Sequence, residues 1–155
     1  MKYLLPFLFC SFSLSSFAQV HSAMPPEASS LYNYAMKSIN PEIKNLIERE
    51  AHNLKGRNID ADNLINTLKK DPLLKKLDQH DIDAIAVLIM VQASKNADED
   101  LKNLVMNMRK NNDQSSLDSN KTETILDQKS KMAKNISMVM KKISASQESA
   151  INNLK

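Results

Sequence analysis

All four phenylalanines (Phe7, Phe9, Phe12, Phe17) and the only cysteine, Cys10, stand in the first 17 residues of a 155-residue chain. Beyond that point there is no tryptophan, and the only aromatics are Tyr32 and Tyr34. There is one glycine, Gly56. β-Sandwiches draw on aromatic and β-branched side chains, and disulfide-stapled folds need paired cysteines. The rest of the chain is poor material for either. It suits helices packed through Leu, Ile, Val, Ala and Met.

Residues 1–18 read as a secretory signal peptide. Lys2 is the positive start, Tyr3–Leu14 the apolar stretch, and Ser16-Phe17-Ala18 puts small residues before a cut after Ala18. The stretch is shorter than the roughly 20 residues of a membrane span. Pro6, Ser11 and Ser13 also interrupt it. Cys10 follows Phe9 inside the apolar core, so a lipid anchor is not expected there. The longest later apolar run is Ala84–Val91. The expected location is periplasmic or secreted. About 137 residues remain after the cut, enough for one domain with its own core. That domain has no cysteine to oxidise, so packing alone must hold it.

The pattern of apolar residues predicts an all-α fold. Residues 19–27 read as a flexible lead-in and 28–155 as a single helical domain. A short helix over about 28–39 carries Leu31, Ala35 and Ile39 on one stripe. Asn40-Pro41-Glu42 supplies a cap, a first-position proline and a dipole-matched acid for a helix over about 41–55. Its apolar positions are Ile43, Ile47, Ala51 and Leu54, and Gly56 stands where a left-handed residue is wanted. Asp60 opens a third helix, about 60–70, through Ala61, Leu64, Ile65 and Leu68. Asp71-Pro72 starts a short turn through Leu77.

Asp78 and Asp81 mark the start of a long helix, about 79–111. Its apolar residues step by threes and fours from Ile82 to Met108, and the run 84–91 is apolar all the way round. Residues 111–119 read as a loop. A second long helix, about 120–154, follows, with Glu123 as capping-box partner of Asn120. Its seam is Ile125, Lys129, Met132, Ile136, Val139, Ile143, Ser146 and Ala150, a coiled-coil spacing. The expected architecture is an elongated antiparallel hairpin, each arm roughly 50 Å long, capped by the short helices. Counting outward from the loop pairs Val105 and Met108 with Ile125 and Leu126.

No constellation points to catalysis, a cofactor or a metal. With one glycine there is no phosphate-cradling loop, and no serine sits on a glycine-flanked elbow. His21, His52 and His80 lack ligand spacing. Asp78, Asp81 and Asp83 read as helix-start acids, and within Asp98-Glu99-Asp100 the helix-face pairs are Lys95 with Glu99 and Asp98 with Lys102. In each Met-x-Met pair, 106–108 and 138–140, the side chains diverge on a helix, so neither pair chelates copper alone. The net charge is +3 for the whole chain, too small to steer it onto nucleic acid.

The expectation is therefore a non-enzymatic exported protein that acts by protein–protein contact, through self-association or a docked helical partner. Two helices of this length cannot bury all their apolar residues in each other, and the short helices lie nearest 84–91. That leaves Met106, Met108, Leu126 and Met132, near the loop, as the candidate interaction surface. The alternative is lipid-surface binding through the basic last helix, with Lys129, Lys131, Lys134, Lys141 and Lys142 beside an apolar stripe. Intact mass of the exported protein should place its N-terminus at Gln19; a full-length product held in the membrane would contradict this.

Overall fold

The computed structural model describes residues 24–58, 60–111 and 116–153. The expected signal peptide, most of the expected lead-in and the centre of the expected loop lie outside the described residues. Among those described there is no strand. The helices are α1 (Pro26–Ser38), α2 (Pro41–Asn53), α3 (Ala61–Leu68), α4 (Gln79–Asn111) and α5 (Ser116–Asn153), with a 3-10 turn at Pro72–Leu74. α4 and α5 form the antiparallel hairpin, and α1, α2 and α3 all pack on α4.

The helix starts follow local chemistry. Asn40 accepts a hydrogen bond from the Glu42 N–H at 2.8 Å. Asp60 accepts from Asp62 at 2.9 Å, Asp71 from Leu73 at 2.9 Å and Asp78 from Asp81 at 2.9 Å. Each of these side chains satisfies an N–H group that the helix itself leaves without a partner. Gly56, at φ +74°, turns the chain after α2, and a Cβ there would meet nothing within 4 Å. The position thus selects glycine for its backbone angle, not for space.

Two boundaries depart from the sequence reading. α1 begins at Pro26, inside the expected lead-in, because proline fits the first helical position. α5 begins at Ser116 instead of about residue 120. Asn120 therefore lies inside the helix, where its carbonyl accepts from the Thr124 hydroxyl at 2.8 Å, and the expected capping box does not form.

The core is centred on α4. Every side chain from Ile85 to Val91 is buried, with α5 on one side and α1, α2 and α3 on the others. Ala61, Leu64, Ile65 and Leu68 of α3 are buried, as their spacing requires. So are Met132, Ile136 and Val139 of the α5 seam. α1 departs from expectation. Its deepest residues are Ala28 and Tyr32, with Leu31, Ala35 and Ile39 only partly buried. The Tyr32 hydroxyl donates to the Gln92 carbonyl, and the Gln92 amide donates to Asn96 at 2.8 Å. Lys95 stands over the Tyr32 ring, 3.8 Å from its centroid. This tyrosine therefore anchors α1 through apolar contact, a hydrogen bond and a cation–π contact together.

Ile89 is fully buried and Glu99 is exposed. Ile89→Asp should unfold the domain, since an unpartnered buried carboxylate costs several kcal/mol, comparable to the stability of a small domain. Glu99→Gln should change stability by no more than about 0.5 kcal/mol. Circular dichroism melts that place the two variants together would refute the burial.

Tyr32 gives a test against pH. Burial first, and the Glu48 carboxylate second, raise the pKa of its phenol. The folded state thus holds this proton more tightly than the unfolded state. The contribution is complete below the unfolded value, about pH 10, and is lost as pH rises through the higher folded value. Tyr32→Phe should cost about 1 kcal/mol near neutral pH through the lost hydrogen bond. It should also flatten the fall in stability above about pH 10 in denaturant titrations.

Candidate functional site

The structure separates the four residues of the expected interaction surface. Met106 is 41% exposed and Leu126 is 46% exposed. Met108 is half-buried. Met132 is only 3% exposed and belongs to the core. The correction comes from α2, whose C-terminal end reaches further along the hairpin than the 84–91 segment. Ala51 of α2 and Leu54 just after it line a small void of about 20 Å³ together with Ala93, Ala97 and Met132.

Val105 was expected in the hairpin seam, opposite Ile125 and Leu126, but it is 37% exposed. Leu104 is half-buried in its place. Helical rotation sets the facing: Leu104 continues the stripe of Ala97 and Leu101 by steps of four and three, and Val105 is about 100° round from it. Lys129 pairs with Asp98 across the hairpin. The midpoint of that pair lies between residues 113 and 114, earlier than the centre of an 111–119 loop. Residues level with one another are therefore not those that a later turn would have matched.

The loop-proximal half of the hairpin has two different flanks. On one, Lys102, Val105, Met106 and Arg109 share a face of α4 through steps of three, one and three residues. Leu126 lies on the corresponding flank of α5, away from Thr124 and Gln128. The opposite flank is a groove of about 530 Å³. Its floor includes Leu104 and Ile125, and its rim includes Asn103, Asn107, Asn120 and Thr124. A Lys55–Asp100 ion pair at 2.8 Å stands at one end. Gln128 ties α5 to the turn there: with its amide oriented to satisfy both groups, its carbonyl accepts from the Gly56 and Arg57 N–H groups at 3.2 Å.

The charged groups are mostly spent on holding helices together. Asp98 was expected to pair with Lys102 within α4, and Asp100 stood beside it in the same acidic cluster. They bind Lys129 of α5 and Lys55 of the turn after α2 instead. Lys95 is drawn to Tyr32 and Asn33 of α1. Tertiary partners win here because a helix-face pair is worth only about 0.3–0.5 kcal/mol. On α5, Lys131 pairs with Asp127 and Lys142 with Asp62, each at 2.8 Å. The hydrogen bond and charge of Asp62 raise the pKa of Lys142. Asp83, read as one of the helix-start acids, is buried and accepts from the Gln79 amide at 2.6 Å. Its polar type at a core-facing position was the available signal.

His52 and His80 are exposed on different helices, and His21 lies outside the described residues. Among the described residues, no three His, Cys, Asp or Glu side chains converge as a metal site requires. Nor is any described helix long and apolar enough to cross a membrane. Comparison with family models, curated proteins and solved structures finds no match to this chain.

Proposed function

We propose that this is an exported, non-enzymatic protein that acts by protein–protein contact through the loop-proximal flank of its hairpin. The observation that carries the reading is the joint exposure of Val105, Met106 and Leu126 on a stretch that α1, α2 and α3 leave open. Apolar side chains grouped at one level of a helix pair favour a contact surface, and methionine adapts to varied partners. The export half of the reading rests on residues 1–18. The non-enzymatic half rests on a chain whose residues 19–155 hold no cysteine and no glycine-flanked serine.

The lipid-surface alternative has less support. A helix that lies on a membrane needs a free apolar face. The stripe of α5 that would serve, Met132, Ile136 and Val139, is packed against the rest of the fold. Three of its lysines, Lys129, Lys131 and Lys142, already pair with acids.

The test uses the mature protein as bait in the periplasmic or secreted fraction, with Leu126→Lys and Val105→Lys as controls. Both variants should keep the parent melt, because both sites are exposed, and should lose at least about tenfold in partner affinity. Capture that is indifferent to both substitutions would move the contact elsewhere. Sedimentation with anionic vesicles at low salt, lost at high salt, would favour the lipid reading instead.

A further inference from the structure

We infer that the groove on the opposite flank is a seat for an amphipathic helix of a second protein, laid end to end with α2. The inference goes beyond the contact flank of Val105, Met106 and Leu126 and does not rest on it. It is carried by the continuity of this groove with a helix seat that the fold already fills.

α2 lies against the hairpin on this flank. Ala51 and Leu54, at and just after its end, share one small void with Ala97 of α4 and with Ile125 and Gln128 of α5. That end therefore stands over the cleft between the two long helices. The chain then leaves the cleft. Gly56, at φ +74°, turns it, and the Gln128 side chain holds the Gly56 and Arg57 N–H groups. α3 is next met toward the other end of the hairpin, where Asp62 pairs with Lys142. The Lys129–Asp98 pair puts Lys142 level with Ile85. The cleft itself does not stop where α2 does. Lys55, Asp100, Ile125 and Gln128 line both the void under the end of α2 and the groove of about 530 Å³ beyond it.

The groove runs from Asp100 to Asn107 along α4. That is about 11 Å, or two helical turns, at 1.5 Å per residue. Leu104 and Ile125, both half-buried, form its floor. Two helices packed side by side leave a furrow that receives the ridge of a third, and α2 shows that this furrow takes one. An added strand would need a sheet edge, and there is no strand among the described residues. The rim narrows the choice of helix. Asn103, Asn107, Asn120 and Thr124 are exposed and uncharged. Lys55 is matched by Asp100 at 2.8 Å, so the net charge of the lining comes from Lys121. The occupant that suits floor and rim together is a helix with apolar residues at i, i+3 or i+4, and i+7, uncharged polar neighbours, and an acid near Lys121.

The probe is a labelled, hydrocarbon-stapled peptide of about four turns, with leucines at i, i+3, i+4 and i+7 and a glutamate beside the stripe. A scrambled peptide of the same composition is the control. Fluorescence anisotropy against the full mature chain should show saturable binding of the first and at least about tenfold weaker binding of the second. Asn107→Trp should fill the groove and weaken binding at least about tenfold. Lys121→Glu should weaken it severalfold, and more at low salt than at high. Both sites are exposed, so both variants should keep the parent melt. Leu126→Lys, on the other flank, should bind as the parent does. The inference is overturned if no saturation is reached at millimolar peptide, if the scrambled peptide binds equally, or if either Asn107→Trp or Lys121→Glu changes nothing. Loss of binding on Leu126→Lys also overturns it, and would place the peptide on the contact flank, in favour of that reading.

Discussion

A helix segment that is apolar on every side cannot lie on a surface, and Ile85–Val91 is such a segment. Burying it takes neighbours all round, and the chain has almost no aromatic side chains with which to cover it. Five helices in a small domain are the outcome. α5 covers one side of α4, and α1, α2 and α3 cover the others. The elongation of the hairpin beyond this centre follows from the same constraint. The short helices gather where the burial is needed, and the far half of the hairpin goes without cover.

What the sequence made legible was the chemistry that acts within a few residues. The caps at Asn40, Asp60, Asp71 and Asp78, the turn at Gly56 and the buried face of α3 all follow from neighbours one turn away. Misreadings came where distant residues decide. Tyr32 became the anchor of α1 because Gln92 and Lys95 meet it from α4. Met132 went inside because the end of α2 and the residue after it reach its level. The start of α5 was misjudged on local grounds. Ser116–Ser119 resembles a turn in composition, yet serine and aspartate are also at home in the first turn of a helix.

The cross-helix ion pairs show how one domain divides labour between apolar and charged groups. Lys129–Asp98, Lys55–Asp100 and Lys142–Asp62 each join elements far apart in sequence. Ion pairs with at least one solvent-exposed partner add little to stability. Their larger effect is on register. Leucine, isoleucine and methionine tolerate sliding past one another, whereas a lysine opposite an aspartate prefers one position. That register sets which residues of α4 and α5 stand level along the hairpin.

That α5 follows α4 in the chain has a consequence in time. A polypeptide emerges from the ribosome, and crosses any membrane, over seconds and in one direction. About 50 residues separate Ile89 from Val139, or roughly 3–10 s at about 5–20 residues per second. Throughout that interval α1 to α4 can assemble, but one side of the most apolar segment in the domain stays bare. The nascent chain thus passes through a stage in which its future centre is open to any holding factor or to a neighbouring nascent chain. Completion waits on the last arm.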